Sequence, residues 1–430
     1  MLFYVDEISV RLIYTLDFVF NEHGLKYQLT NDKQVFDSFG GTKLSYSNFE
    51  FDRTLVLNPA GLLFEEAYRE SVRVEKSNWN GMDCLKFDSV SDPLASIFYV
   101  LTRYEEYDPK FPDDHGRFTA KESLQSTFGW LHIQIVEHWI EAFFQVYSPE
   151  LLSELEANRK VTVIPSFDID NTFAYKWKEG WRSWLSNGKD LLKNNKQRLK
   201  ERKLVQKGER EDPFDSFETI RAVCREYPDT RLFWHVGNYA KYDTNIAWND
   251  PRHQELIREM SKLGHLGLHP GYVSNYSDVR LSQEALRLES ITSGKITESR
   301  QHFLKLQLPK TYRRLMELGF EKDFTMGYAD DYGFRAGTAR EHAFFDLLSN
   351  QAFPEYRIVP FAYMDGTLLE YQKLSIEESL EVVSDLVREV KTYGGVFCFI
   401  WHNETLAEAG KWKGWKRVFD FTLEELKTIS

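Results

Sequence analysis

The sequence has little cysteine, no long apolar run and no excess of positive charge. Its three cysteines, Cys84, Cys224 and Cys398, are odd in number and far apart. They fit neither a disulfide framework nor a zinc-finger spacing, so a reducing compartment is expected. No stretch approaches the roughly 18 uncharged apolar residues of a membrane-spanning helix. A net charge of −12 argues against general nucleic-acid binding.

The first residues, Met1 to Glu7, also lack the basic segment and apolar run of a signal peptide. We therefore expect a cytoplasmic protein, with contact at the inner membrane surface as an option that depends on a basic insertion considered below. What the chain does have is length and core material. Its 430 residues, 42% of them hydrophobic, suggest two or three domains.

The stretch 161–173 organises the rest of the chain. It starts with an apolar, β-branched run typical of a buried strand, and Asp168 and Asp170 come at the end of that run. Side chains of a strand alternate between faces, so the two carboxylates point the same way. A cation between two such close carboxylates relieves their repulsion. A turn capped by aspartate is the alternative interpretation.

From residue 161 onward, strand patterns alternate with helix patterns. The strand candidates are 161–167, 232–236, 266–269, 324–328, 356–361 and 396–401. The helix candidates are 215–226, 252–263, 282–293, 309–318 and 375–392, the last with a capping box of Ser375 and Glu378. This rhythm predicts a parallel sheet, open or closed into a barrel. Reactive groups gather at the carboxyl ends of such strands.

Residues 1–158 are predicted to form a separate, smaller α/β or α+β domain. A helix should begin at Asp92-Pro93, since Asp suits the cap and Pro the first turn, and a second apolar helix covers 131–147. Glu105, Glu106 and His115 are interpreted as polar groups of the surface and loops, with the lining of a site as the alternative. We find no chemistry in this part of the sequence.

Polar side chains with catalytic or metal-binding chemistry fall at the ends of the later strand candidates. They are Asp168, Asp170, His269, His302, Arg335 and His402. One isolated histidine is usually structural, but three of them beside a carboxylate pair favour a site.

These residues resemble a known family. Phe167-Asp168-Ile169-Asp170, Gly267-Leu268-His269-Pro270, Phe334-Arg335 and a late strand ending in His402 resemble, in order and spacing, the motifs of NodB-type polysaccharide deacetylases, carbohydrate esterase family four. The resemblance covers about 160–405, and the chain is similar to the large bacterial form with an extra N-terminal domain. It implies a distorted (β/α) barrel over 159–430. It also implies a bound divalent metal and hydrolysis of an N- or O-acetyl group on a sugar.

The resemblance also implies roles for individual residues. Asp168 matches the catalytic base, Asp170 a metal ligand and His269 the first histidine of the second motif. The second histidine of that motif is missing, because position 273 is Val. We predict that His302 supplies the missing ligand, with a core or ligand-orienting histidine as the alternative.

The later motifs complete the expected site. Arg335 matches the arginine that orients the base, and Asp365 could match its acidic partner. His402 matches the histidine that acts as general acid. Two imidazoles and one carboxylate suit zinc, with iron, cobalt and manganese as further candidates.

The function expected is a metal-dependent hydrolase that removes acetyl groups from a saccharide in cell-surface or exopolysaccharide metabolism. One alternative is an amide or cyclic-imide hydrolase of the same superfamily. Another is a non-catalytic glycan-binding protein, which Val273 favours. The glycan, the metal and the oligomeric state stay open.

An inserted basic segment lies near 174–212. Between 176 and 210 it holds twelve Lys or Arg against four Asp or Glu. Trp177, Trp181 and Trp184 fall on one helical face, the pattern of an interfacial helix, and 411–417 repeats the composition. The expectation is peripheral contact with an anionic membrane and a lipid-linked glycan substrate. Tryptophans packed on the barrel with solvated lysines are the alternative.

Overall fold

A computed structural model describes residues 1–49, 51, 54–109, 111–178 and 196–428. Within these residues the fold is mixed α/β, and the strands form three sheets. Two small sheets belong to the first 91 residues, and one large sheet begins at Val161.

The N-terminal part contains both small sheets. Strands β1 to β4 form a parallel sheet in the order β2-β1-β3-β4, and β5 to β7 form an antiparallel one. Their bounds are Leu2–Val5, Gln28–Thr30, Lys43–Tyr46, Leu55–Val56, Val74–Trp79, Met82–Phe87 and Val90–Ser91. The helices are Val10–Val19, Lys33–Ser38, Pro93–Leu101, Leu124–Phe128, Ile135–Tyr147 and Leu152–Ala157. The helix start predicted at Asp92-Pro93 is confirmed, because the Asp92 carboxylate accepts the Ala95 N–H.

The large sheet runs in the order β13-β14-β12-β11-β10-β9-β8-β16-β15. Neighbouring strands are parallel, apart from the antiparallel pair β13 and β14. Strands β8 to β16 are Val161–Ile169, Arg231–Trp234, His265–Leu268, Glu298–Ser299, Lys322–Asp323, His342–Asp346, Gln351–Ile358, Tyr363–Met364 and Gly395–His402. The helices of this part are Lys196–Gln206, Phe217–Glu226, Pro251–Met260, Asp278–Thr292, Lys310–Glu317, Ile376–Tyr393 and Lys416–Leu426.

Two strand predictions differ from the structure. The strand expected over 324–328 lies too late in the sequence. The observed strand, β12, is shorter and ends at Asp323. The Asp323 carboxylate accepts both the N–H and the hydroxyl of Thr325, at 2.9 and 3.0 Å, and such a local bond turns the backbone out of a ladder. The hairpin of β13 and β14 was not predicted. A strand was expected over 356–361, but β14 begins at Gln351, and no strand was expected at the position of β13.

The segment between β14 and β15 bonds to strands on both of its sides. The N–H of Phe361 donates to the Met326 carbonyl at 3.0 Å, and the N–H of Ala362 donates to the Cys398 carbonyl at 2.7 Å. Met326 follows β12 and Cys398 lies in β16, so this segment lies between the two.

The two largest apolar cores of the described residues belong to the two parts of the chain. One gathers residues from Val163 to Leu426, and the other gathers residues from Phe3 to Leu155. The second core also contains Phe345 of β13 and Leu347 beyond it, and the Tyr14 hydroxyl donates to the Ala343 carbonyl at 2.9 Å. The hairpin therefore fastens the large sheet to the N-terminal part.

The basic insertion lies partly outside the described residues, and that part includes Trp181 and Trp184. Trp177 packs its ring on Phe173 with centroids 4.7 Å apart. In the second basic segment, Trp412 and Trp415 are buried in the core. The interfacial helix stays a prediction. In the described part of the chain, no helix has the length and apolarity needed to cross a membrane.

Candidate metal centre

The site lies where the carboxyl ends of several parallel strands meet. Asp168 lies in β8 and pairs in register with His402, which ends β16. His269 directly follows β10, and His302 begins a short turn after β11. Parallel strands place their carboxyl ends at one edge of the sheet, so these residues from distant parts of the sequence come together.

Three of the predicted ligands converge on one point. His269 Nε2 lies 2.9 Å from Asp170 Oδ1, and His302 Nε2 lies 3.3 Å from Asp170 Oδ2. The candidate ligand atoms of all three residues lie within 4.8 Å of one another. Both imidazoles are buried, and the Asp170 carboxylate is 23% exposed. A carboxylate and two imidazoles are a ligand set that zinc and related divalent metals take.

The outer nitrogen of each ring is held by an acceptor. His269 Nδ1 lies 2.7 Å from the Arg300 carbonyl, and His302 Nδ1 lies 3.1 Å from Asp243 Oδ1. A carbonyl and a carboxylate can only accept, so each Nδ1 donates. Neutral rings then present the Nε2 lone pair to Asp170, the arrangement in which a histidine binds a metal.

Asp170 Oδ1 provides a test of whether a cation fits. It is buried and accepts no hydrogen bond of acceptable geometry from the described residues, although His269 Nε2 is close. Lone pairs that face a buried carboxylate repel it unless a cation lies between them. The three residues therefore fit a divalent metal.

Without the metal, a proton can take its place. Burial lowers the pKa of His302, but the Asp170 and Asp243 carboxylates outweigh burial and raise it to about 10. Burial would likewise raise the pKa of Asp170, yet His302 and His269 hold it well below its ordinary value. The site therefore favours positive charge at this point.

Asp168 is held on one side by an arginine. Arg300 Nη1 donates to Asp168 Oδ1 at 2.8 Å, while Oδ2 faces His269 Nε2 at 3.9 Å. Both Asp168 and Arg300 are buried, and Arg300 is fixed in turn by its Nε, which donates to the Phe324 carbonyl at 3.0 Å. One carboxylate oxygen is thus anchored and the other is directed at the ligand cluster.

The structure does not bring Arg335 to Asp168. The Arg335 guanidinium forms a two-point ion pair with Glu106 of the N-terminal part and donates from Nη1 to the Gly327 carbonyl at 2.9 Å. The predicted orienting role of Arg335 is thus corrected, and Arg300 is the arginine that contacts Asp168. Glu106 was interpreted as a surface group, but it is buried because Arg335 and Arg103 neutralise its charge.

His402 faces the same oxygen of Asp170 as His302 does. Its Nδ1 is 2.8 Å from Asp365 Oδ1, and its Nε2 is 3.7 Å from Asp170 Oδ2. Burial lowers the pKa of His402, but Asp365 outweighs burial and raises it well above the ordinary value. Asp365 was predicted to pair with the arginine. It instead accepts from His402 and from the Thr405 hydroxyl at 2.5 Å.

Several functional candidates were missed in the sequence. Arg300 lies two residues before His302, which is a usable signal, whereas Asp243 lies in a loop without any pattern. His235, Asp243 and His302 form a second buried group of possible ligand atoms, and His235 Nε2 has no hydrogen-bond partner among the described residues. Burial and the Asp170 carboxylate raise the pKa of Glu404 to about 7, against the effect of His402.

Val273, at the position of the missing second histidine, lies in the 3₁₀ turn Tyr272–Tyr276. That turn directly follows His269, as the motif spacing requires. The structure places the His302 ring beside His269 instead, with centroids 5.0 Å apart. The ligand role of His302 stays a prediction until metal binding is measured.

One family model and several solved structures are similar to part of the chain. Residues 1–149 match the model of a family of unknown function, DUF7033. No curated protein sequence matches the chain. A protein of Mycobacterium smegmatis named as a polysaccharide deacetylase is 13% identical, with a TM-score of 0.41, over 62% of this chain and 84% of that one.

Two further solved structures have the same kind of similarity. An allantoinase, PuuE, is 11% identical with a TM-score of 0.37, over 63% of this chain and 84% of its own. A polysaccharide deacetylase from Bacillus cereus is 10% identical with a TM-score of 0.29, over 63% and 88% of the two chains. Such TM-scores carry no weight for fold or reaction. Several of the solved structures similar to this chain are polysaccharide deacetylases, and these and the allantoinase are hydrolases of amide or ester bonds.

Proposed function

We propose that the chain is a metal-dependent hydrolase that removes acetyl groups from a saccharide. The observation that carries the proposal is the convergence of Asp170, His269 and His302, with both outer ring nitrogens already bonded to acceptors. Asp170, His269 and His302 would hold the metal. When bound, it would supply a Lewis acid that polarises the acetyl carbonyl and lowers the pKa of a water molecule.

Asp168 is the proposed general base. Arg300 holds one oxygen of this carboxylate, and the second oxygen faces His269 Nε2 in the ligand cluster. A water that attacks the acetyl carbonyl there gives its proton to this oxygen as the new C–O bond forms. Base catalysis by a positioned side chain is typically worth about 10²- to 10⁴-fold.

His402 is the proposed general acid. Asp365 keeps it protonated, and its Nε2 is directed at Asp170 and therefore at the same point as Asp168. As the bond between the acetyl carbon and the leaving nitrogen or oxygen breaks, His402 donates a proton to that atom. The products are acetate and a free amine or alcohol on the sugar.

We propose the catalytic part to be residues 159–430, folded as a distorted barrel, with 1–158 as an N-terminal domain. The backbone bonds of the segment 359–362 support closure of the sheet into a barrel. This segment bonds to Met326, just after β12, and to Cys398 in β16, so it links strands near the two ends of the strand order. A role in cell-surface or exopolysaccharide metabolism, with a lipid-linked substrate at a membrane, belongs to the same proposal. Liposome co-sedimentation at low and high salt tests the membrane contact.

The experiment for the reaction uses purified wild-type protein loaded with zinc, cobalt or manganese. Acetate release is measured from a panel of N- and O-acetylated oligosaccharides, and ring opening is measured on small cyclic amides. We expect acetate from at least one saccharide. Turnover of cyclic amides alone would favour the amide hydrolase. Metal binding without turnover in either assay would favour a glycan-binding protein, and absence of metal binding would contradict the proposal.

A further inference from the structure

A segment of the N-terminal part, Asp113 to Phe118, lies directly against the turn that carries His302. Arg117 Nη1 donates to the Phe303 carbonyl at 2.9 Å. From the other direction, Lys305 Nζ donates to the His115 carbonyl. The turn 302–305 is thus bonded at Phe303 and at Lys305 to a segment about 190 residues earlier in the chain.

Ring packing strengthens the same contact. The His115 ring lies on Phe303 with centroids 4.8 Å apart, and His115 Nδ1 is 3.2 Å from the Tyr272 hydroxyl. The Phe303 ring in turn lies 4.7 Å from the His302 ring. A continuous series of contacting rings therefore joins the N-terminal segment to the proposed ligand.

The turn itself has a backbone that needs support. Phe303 and Leu304 are consecutive non-glycine residues with φ of 61° and 53°. Side chains disfavour this left-handed region, so a pair of such residues persists only where surrounding contacts fix it. The two hydrogen bonds from the N-terminal segment are contacts of that kind.

Arg117 is built for this position. Its side chain is buried, its Nε donates to Asp113 Oδ2 at 2.7 Å, and its Nη2 donates to the Tyr371 hydroxyl at 3.2 Å. Asp113 Oδ1 also accepts the N–H groups of His115 and Arg117, both at 2.9 Å. The guanidinium is therefore fixed by its own turn before it reaches the turn of His302.

We propose that Arg117 is a positioning residue for the metal ligand His302, and that the N-terminal part thereby completes the metal site. The proposal rests on the proposed function, since it assumes that His302 binds a metal. In this chain Val273 stands where the family motif has its second histidine. The proposal gives the N-terminal part the role of positioning the residue that replaces that histidine. The turn that carries this substitute ligand is held in the large-sheet part by Leu304, which packs in its core, and by the 2.7 Å bond from Lys305 to the Tyr276 hydroxyl. Arg117 adds the bond to the Phe303 carbonyl from the N-terminal part.

The test measures metal affinity on the full chain, by competition of Zn²⁺ with a chelator and by the visible spectrum of bound Co²⁺. Arg117→Ala should weaken the affinity about tenfold, the lower end of the range for a direct partner of a metal ligand, because Arg117 acts through Phe303. It should also alter the Co²⁺ spectrum. Arg117→Lys, which keeps a donor, should fall between Ala and wild type. Lys305→Met removes the bond to His115 together with the 2.7 Å bond to the Tyr276 hydroxyl, and it should act in the same direction.

Arg357→Ala is the matched control. Arg357 also forms an ion pair across the two parts, with Glu22 at 2.8 Å, but it contacts none of the proposed ligands. It should lower the melting temperature and leave metal affinity within about twofold of wild type. Equal affinities for Arg117→Ala, Lys305→Met and Arg357→Ala in a metal-binding wild type would overturn this inference alone. A wild type that binds no divalent metal would overturn the proposed function and this inference with it.

Discussion

Two buried arginine–carboxylate pairs in this molecule have the same composition and differ in whether a carboxylate oxygen is left without an arginine contact. Arg300 contacts one oxygen of Asp168, and the other oxygen faces His269 Nε2 at 3.9 Å. Arg335 contacts both oxygens of Glu106, and Arg103 adds a further bond at 2.7 Å. A carboxylate with a free, directed oxygen can accept a proton, whereas a saturated one is a structural tie. We call the first the site pair and the second the interface pair.

The largest expected difference between the pairs is in catalysis. Asp168→Asn should lower kcat by about 10²- to 10⁴-fold while the protein still binds metal, because the metal ligands are untouched. Metal content and kcat are measured on the same preparation. Asp170→Ala is the comparison variant, and it should lose both metal and activity. Loss of metal in Asp168→Asn would assign Asp168 to the ligands instead.

The interface pair should matter for stability instead. Glu106→Gln leaves Arg335 as a buried charge without its carboxylate partner, whereas Arg103 keeps Glu105 at 2.9 Å. Removing one partner of a buried ion pair costs about 3–5 kcal/mol of unfolding free energy. Chemical denaturation measures this cost, and metal affinity should stay at the wild-type value. Preserved stability together with lost activity in Glu106→Gln would reverse the assignment of the two pairs.

The sequence predicted one member of the site pair and the wrong arginine for it. Asp168, His269 and His402 follow apolar strand patterns, and strand direction alone brings their positions to one edge of the sheet. Arg335 follows the strand candidate 324–328 and Arg300 follows no strand candidate, so the pattern favoured Arg335. What separates them is the partner, and Glu106 comes from 229 residues away. A contact of that range depends on how the two parts pack, which local patterns do not contain.

The same limit applies to the ligand set. His302 could be proposed because it lies just beyond the helix candidate 282–293, where the alternating pattern leads one to expect the next strand. Asp243 could not be proposed, since it lies in a loop and is defined only by its bonds to His302 Nδ1 and the Tyr272 N–H, at 3.1 and 2.9 Å. Local pattern therefore identifies groups at strand ends, and tertiary packing decides which side chains hold them.

Asp243 offers a smaller effect that sharpens the comparison. Asp243→Ala should weaken metal affinity about 10- to 100-fold, because it frees the ring that it orients. Asp243→Asn keeps an acceptor oxygen and should lose less. Competition with a chelator measures both affinities. An Ala variant with wild-type affinity would show that His302 does not need Asp243, or does not bind the metal.

The smallest expected effect, about tenfold for each pH unit, is a dependence of metal affinity on pH. The pKa of His302 in the metal-free protein is raised to about 10, so at neutral pH a proton occupies the position that the metal would take. Binding must release that proton, and release becomes easier as pH rises. The apparent affinity should therefore increase about tenfold per pH unit between pH 6 and 8. His302→Ala should bind more weakly and lose this slope, whereas Glu106→Gln at the interface pair should keep it. A wild-type affinity independent of pH would mean that His302 carries no proton to displace, and that its two carboxylate neighbours serve packing alone.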